Sequence, residues 1–556
     1  MTSAAVVRNT IGVAALRDLR GRRKRHRLGE LEWFEAAYRV YLAAIFGGGA
    51  LLWLSDLVGD SEVSAEQAAS AVRNGPAALG LVAALAFCAG LRGGAQGGPL
   101  ALEAADVVHV MLSPVDRRRA LLRPVVQRVR SAAFAGAAFG AIFGQLAGRR
   151  LPGSALAWFG SGALFGVNTA LLWVGGALVA HALRLRLLVA TVVAVAGLGW
   201  QAFALATHTP GPANLDGSLA LWGERQRPVD VVAIVLTLAL VAIGVLLLDR
   251  ISLDALARRS SLVAQLRFAV TMQDLRTVVL LRRQLTHERT RRRPWIRLRA
   301  GRQRPSHHGI VWRRGWHSLL RFPSGRLLRM TFLAVVIGAC QVAVFRGTTP
   351  LVVVSGVLAF VLGLEVLEPL SQEIDQPDRT DSFPVERGLL LFRHLHAPLV
   401  ALVPFAAIGA ASAVVVHRLA GGPGSGIAVA AILAVPTAVA GAAGATINIV
   451  RDASDPPSDG PQQSFVPPEM AGVSTVMRTL VPLVVSIAGS LPILVVREVV
   501  ADRGASAAVA TAARGVLAIA LIAGAVGWWV RARDRIRRKF HSFMAQGRAG
   551  ARQSST

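Results

Sequence analysis

Lysine is nearly absent from this 556-residue chain: of 61 basic residues, all but Lys24 and Lys539 are arginine. A P-loop needs a glycine-rich turn followed by lysine and a hydroxyl residue, because backbone amides and the ammonium hold the phosphates. Neither lysine follows such a turn, so an ATP-driven version of this protein needs an ATPase on another polypeptide. Cysteine is as scarce. Cys88 and Cys340 both fall inside apolar runs, which leaves neither a disulfide framework nor a thiolate metal site. Acidic residues number 32, giving a formal net charge of +29. Few charges of either sign lie within the long apolar runs, where carriers driven by protons or sodium keep ionisable groups. Glu365 and Arg514 are the exceptions, and each is expected near an interface or paired. The first 39 residues are basic and polar, without an apolar core before a small-residue cleavage site, so no signal peptide is expected.

What the chain does have is apolar length. Hydrophobic residues make up 53% of it, and the mean hydropathy is +0.50. They come in blocks of roughly 16–28 residues, enough to cross a ~30 Å hydrocarbon core. Six spans are predicted in the first half: Val40–Val58, Pro76–Leu91, Ala132–Ala147, Ala155–Leu183, Leu187–Ala206 and Val229–Leu248. Six more follow: Met330–Phe345, Leu351–Leu367, Leu399–Val416, Ile427–Val450, Leu480–Val496 and Ala507–Val530. The expected fold is therefore all-α, a polytopic integral membrane protein with about twelve transmembrane helices in two six-helix repeats.

Basic residues in short loops favour the cytoplasmic side. With the N-terminus inside, the inside segments hold 51 Arg/Lys and the outside loops 9, Arg514 completing the 61. Both termini are then cytoplasmic, and the membrane is the cytoplasmic (inner) one. Spread over one face, the arginines suit anionic lipid headgroups rather than nucleic acid. The expected organisation is a cytoplasmic basic N-terminus with an interfacial helix (1–39), a first six-span half (40–249), a basic cytoplasmic linker (250–329), a second half (330–530) and a basic cytoplasmic tail (531–556). Within the linker, apolar residues from Leu253 to Val270 recur at near-helical spacing, so the sixth span is expected to continue as a cytoplasmic helix to about Leu285.

A polar stretch organises the second half: Glu368–Arg393, EPLSQEIDQPDRTDSFPVERGLLLFR. Within it Pro384-Val385-Glu386-Arg387 echoes Pro114-Val115-Asp116-Arg117, an offset of 384 − 114 = 270. Each turn lies between the second and third apolar runs of its half, and an internal repeat of that kind fixes architecture. Proline breaks the preceding helix. A short amphipathic helix is expected to follow, with Asp116 or Glu386 at its positive N-terminal end. The acidic run Glu368, Glu373, Asp375, Asp378 and Asp381 reads as a salt-bridged docking segment rather than a catalytic or metal site. His307-His308 and His394-x-His396 lack a supporting ligand pattern. Asn168 and Asn448, within apolar runs, read as helix-packing hydrogen-bond groups. No catalytic, metal or cofactor-binding residue is expected.

The stretches Leu112-Ser113-Pro114-Val115-Asp116-Arg117-Arg118-Arg119-Ala120-Leu121-Leu122 and Ser382-Phe383-Pro384-Val385-Glu386-Arg387-Gly388-Leu389-Leu390 resemble the coupling-helix connection of type-2 ATP-binding-cassette exporter permeases. The resemblance covers the layout of both halves and about ten residues of each. It implies that each turn contacts a separate cytoplasmic nucleotide-binding ATPase subunit, with two copies beneath one double-length chain of a high-GC bacterium. Two six-span units are fused, where many relatives use separate chains, and the first half lacks the acidic run. A secondary ion-coupled 6+6 transporter remains the alternative, since Asp116-Arg117-Arg118-Arg119 faintly resembles its loop motif without the glycines. A membrane-embedded transferase would want outer-face carboxylates, and only scattered ones such as Asp60, Glu62, Asp216 and Glu224 are present. A non-transporting membrane protein is the last alternative.

Overall fold

The computed structural model describes residues 65–100, 116–149, 151–257, 291–297, 307–376, 382–419, 433–451 and 480–554, with a few isolated positions besides. The predicted first span and interfacial helix lie outside the described residues. The chain forms two compact units, divided between Glu288 and Arg289. Among the described residues every regular element is helical. Nine helices among the described residues are long and apolar enough to cross a membrane, or ten if one bent pair counts as a single span.

The first unit contains α1 (Ala65–Ala95), α2 (Arg117–Gly148), α3 (Ala155–Ala182), α4 (Leu187–Thr207), the short α5 (Asn214–Leu219) and α6 (Trp222–Arg225), and α7 (Val231–Leu246). Ser154 starts α3 by accepting from the Ala157 amide at 3.1 Å. Arg184, at φ 52°, stops it in the left-handed region, and the Leu185 amide returns to the Ala180 carbonyl. The chain then turns directly into α4.

Contact between α2 and α3 depends on glycine. A Cβ on Gly136, Gly140 or Gly144 would lie 2.3, 2.1 and 2.1 Å from the carbonyl oxygens of Gly166, Gly162 and Trp158. Four-residue spacing puts these glycines on one face of α2, and their lack of side chains lets the two backbones touch. The outer face of α2 carries Phe134, Phe139 and Phe143, all exposed. Leu188, Trp200 and Phe203 of α4 and Val235 and Leu236 of α7 are likewise exposed. Apolar surface of this extent is unfavourable in water and natural against lipid. The chain is a multi-pass membrane protein.

The second unit contains α8 (His307–Leu319), α9 (Ser324–Phe345), α10 (Leu351–Val366), α11 (Glu368–Ile374), α12 (Arg387–His394), α13 (His396–Leu419), α14 (Ala434–Arg451), α15 (Leu480–Arg503, broken at residues 489–491) and α16 (Ala505–Ser554). The predicted eighth span is the bent pair: α10 and α11 meet at 62°. Pro369 at the start of α11 lacks an amide donor, and Leu367 between the helices is not helical.

Two expectations need adjustment. The sixth span does not continue without interruption toward Leu285. α7 ends at Leu246, a 3₁₀ turn covers Leu248–Arg250, and Ile251 is extended before helix resumes. Nor is there a separate short helix after the first turn: α2 runs unbroken for 32 residues through Pro124 into its span. In the second unit the corresponding element is interrupted at Leu395, between α12 and α13.

Replacing Gly140 with leucine should lower the thermal unfolding midpoint of the detergent-solubilised protein by several degrees. The added side chain meets backbone that cannot move aside, at a cost of about 2 kcal/mol or more. Gly160→Leu, whose Cβ meets nothing within 4 Å, should leave the midpoint nearly unchanged in the same fluorescence-detected melt.

Candidate functional site

The two predicted turns each precede a long helical stretch. α2 starts at Arg117 and α12 at Arg387, again 270 positions apart, and the candidate spans Arg117–Gly148 and Arg387–Arg418 are each 32 residues long. Pro114 and Val115 lie outside the described residues. Asp116 caps α2 through Oδ1, which accepts from the Arg118 amide at 3.1 Å, and Arg119 lies 3.8 Å away. Arg117 is exposed. The second turn is held differently. Pro384 and Glu386 are exposed, and Val385 and Arg387 are half-buried. Glu386 makes no capping bond of its own. Its Oε1 pairs instead with Arg538 (3.3 Å) and Arg535 (3.6 Å) on α16. The Gly388 amide donates to Asp534 Oδ2 at 3.2 Å, while Gly388 itself abuts the Arg531 carbonyl. The second turn therefore rests on the C-terminal helix.

The acidic run divides into interior and surface groups. Glu373 is 0% exposed, paired with Arg314 of α8 at 2.7 Å and 3.8 Å from His394. Glu368 is buried beside Arg326 (3.3 Å) and accepts from Gln372 at 2.9 Å. Glu365, also buried, binds Arg326 at 3.0 Å and Arg329 at 2.9 Å, so the expectation that it is paired is met. These ion pairs tie the start of α9 to the α10–α11 bend. Asp375 is half-buried and Asp378 exposed, and Asp381 lies outside the described residues. Glu368 and Glu373 are thus committed inside the unit. His396 contacts the Phe392 ring and the Arg393 carbonyl. Among the described residues no group of three or more His, Cys, Asp or Glu side chains is placed to hold a metal.

A second polar cluster was not legible in the sequence. Asp216 belongs to the 22-residue connection between the fifth and sixth predicted spans and reads there as a scattered loop carboxylate. In the structure α5 folds back among the helices. The Asn168 amide, midway along α3, donates to Asp216 Oδ1 at 2.7 Å. Ser161 Oγ donates to the Ala220 carbonyl at 3.2 Å. Gly217 lies against the Pro76 carbonyl and Gly80 of α1. At 1.5 Å per residue, Ser161 and Asn168 lie roughly 9 and 20 Å along α3 from its first residue. Segment α5 therefore reaches deep beside α3. Gln201 of α4, 0% exposed, secures it: Nε2 donates to the Ala77 carbonyl (2.9 Å) and Asn214 Oδ1 (2.8 Å), and Oε1 accepts from the Ala213 amide (3.0 Å). Ser218 Oγ donates to Asp230 Oδ1 at 2.5 Å. Burial pushes the Asp216 carboxyl above the usual carboxylate range, and the Asn168 hydrogen bond pulls it back. The sequence signal for this cluster was two polar amides, Asn168 and Gln201, inside otherwise apolar runs.

The cluster and the first turn lie at opposite ends of the unit. α2 runs antiparallel to α3, since Gly136 faces Gly166 and Gly144 faces Trp158. Arg117 therefore lies toward the end of α3, and α5 toward its beginning. A family model described as a family of unknown function, DUF6297, matches residues 66–459, more than half of the chain. The chain belongs to the DUF6297 family. That match includes α1–α14, and with them both turns and the α5 cluster. No curated protein and no solved structure matches the chain.

Arg314→Met would leave the Glu373 carboxylate interior without its partner. Stability should fall by about 3 kcal/mol, as for other broken buried pairs. Arg314→Met combined with Glu373→Gln should recover much of that loss in a chemical or thermal unfolding series, since the uncompensated charge is then gone.

Proposed function

We propose that this DUF6297 protein is the membrane permease subunit of an ATP-driven exporter and works with a separate cytoplasmic ATPase, two copies of which sit beneath one chain. The observation that carries this reading is the repeated turn. Two Pro-Val-acid-Arg sequences, 270 positions apart, each lead into a 32-residue candidate span. The twelve-helix, two-repeat arrangement is part of the same proposal, with both termini cytoplasmic on the 51 to 9 division of basic residues. Absence of a P-loop then has a simple reason: the nucleotide site is on the partner. Closure of the ATPase subunits on ATP would push on the two turns and rock one half against the other.

The turns are not equivalent. Asp116 and Arg117 present a self-capped helix start, whereas Glu386 is shared with Arg535 and Arg538. An ATPase reaching the second turn would meet α16 as well, so the two contacts should differ in strength.

A secondary ion-coupled carrier is the second reading, favoured by one observation. Asp216 and Asn168 meet deep beside α3, in the kind of position that ion-coupled proteins use.

The two readings separate in one experiment. The tagged chain is purified in mild detergent from its own membranes, alongside Asp116→Arg and Glu386→Arg. An ATPase subunit should co-purify with the wild type and be lost on charge reversal, with Asp116→Arg the cleaner variant because it breaks no contact to α16. No associated ATPase, with transport following a proton or sodium gradient, would overturn the permease reading.

A further inference from the structure

We propose that the outer face of α2 binds anionic phospholipid headgroups, one at Arg130 and one at Arg123. α2 carries six arginines between Arg117 and Arg130, whereas α3, α4 and α7 contain no Arg, Lys, Asp or Glu. The register of α2 against α3 shows how far these charges reach along the bundle. Gly136, Gly140 and Gly144 face Gly166, Gly162 and Trp158. Continued along the two helices, that pairing sets Arg123 level with about residue 179 of α3, and Arg130 level with about residue 172. The nearest Arg, Lys, Asp or Glu beyond that end of α3 is Arg184. At 1.5 Å per residue, Arg123 lies roughly 8 Å and Arg130 roughly 18 Å inside that level. Both therefore lie within the apolar length of the unit, not in its loops.

The arginines divide between two faces. Arg128 turns inward, its guanidinium 4.9 Å from the centre of the Trp173 ring. Arg123 and Arg130 turn outward. With Arg119, Gln127 and Phe134 they make one exposed stripe, at steps of three or four residues. Arg119 is shared with Asp116 at 3.8 Å. Among the described residues neither Arg123 nor Arg130 has a hydrogen bond or an ion pair. Val126 and Phe134, one turn to either side of Arg130, are 54% and 76% exposed.

A guanidinium without a partner, set between apolar neighbours on a membrane helix, is costly unless an anion meets it. Helix side chains tilt toward the N-terminus, so Arg130 reaches back toward the Arg117 end and away from Phe134. There its planar fork can hold two oxygens of one phosphate. Arg123 lies about 10 Å from Arg130 along the axis, so it takes a phosphate of its own. The apolar neighbours decide the source of the anion. Leu122, Val126 and Phe134, exposed on or beside the stripe, suit acyl chains, which a free phosphate lacks. The two uncompensated positive charges favour a lipid of net negative charge over a zwitterionic one. The leaflet that supplies it follows from the proposed cytoplasmic position of the turn at Asp116. Binding itself depends neither on ATP nor on a partner subunit.

The test is thermal unfolding of the purified full chain in mild detergent, with phosphatidylglycerol or phosphatidylcholine of identical acyl chains added in increasing amount. Phosphatidylglycerol should raise the midpoint by several degrees and saturably, phosphatidylcholine by much less, and soluble glycerol 3-phosphate not at all. Arg130→Gln should reduce the phosphatidylglycerol rise, and Arg130→Gln combined with Arg123→Gln should remove most of it. Neither guanidinium has a partner to lose, so both variants should keep the lipid-free midpoint of the wild type. Arg186→Gln, at an exposed arginine before α4, should keep the full rise. Equal rises with the two lipids, an equal rise with glycerol 3-phosphate, a rise that survives in the double variant, or an equal loss in Arg186→Gln would overturn the proposal.

Discussion

A single side-chain amide, Gln201, sets the character of the first unit. Inside an apolar bundle there is no water to take an unpaired backbone group, so irregular chain can enter only where protein groups satisfy it. Gln201 does this with three hydrogen bonds, to the Ala77 carbonyl, the Ala213 amide and the Asn214 side chain. Those bonds let the connection between α4 and α7 fold inward. Glycine supplies the space: Gly217 can lie against α1 only because it carries no Cβ, and the Ala213 carbonyl can approach Gly80 for the same reason. Once α5 is inside, Asp216 and Asp230 come with it, and the unit acquires a charged interior that its apolar spans would not suggest.

The second unit places its interior charge by a different route. There the carboxylates belong to the α10–α11 bend, and arginines from α8 and α9 reach them. Buried ion pairs add little net stability over apolar packing, but they are costly to break. Their effect is to fix where α8 and α9 sit against the bend that leads into the second turn. The turn is fastened from its other side by Asp534, Arg535 and Arg538 of α16. A partner that moved this turn would thus act on α8, α9 and α16 together. In the first unit the equivalent turn ends in a plain N-cap.

Much of the fold was legible because membrane spans are written in continuous apolar length. Ala155–Leu183 and Leu187–Ala206 were placed within a residue or so of α3 and α4. The turns were legible because proline and an acid before a helix have local causes. Long-range pairing was not. Glu368 and Glu373 look like surface acids in a polar segment, and their partners Arg326 and Arg314 lie 42 and 59 residues away in the chain (368 − 326, 373 − 314). The inward course of α5 was equally hidden, since Gly, Asn, Asp and Ser read as a solvent loop whether or not a glutamine from another helix receives them. The four-residue glycine spacing of α2 was visible, but nothing local says which carbonyls it meets.

The α4–α7 connection enters the bundle rather than lying on its surface. Cys88 and Cys340 are both buried and free, so a cysteine-free background is the starting point. Single cysteines at Ser218, which is buried, and at Pro210 and Arg227, which are exposed, would then be treated with a membrane-impermeant maleimide. Labelling should be rapid at 210 and 227, with strong protection at 218 that Gln201→Leu relieves. Labelling at 218 as fast as at 227 would place the connection on the surface and contradict it.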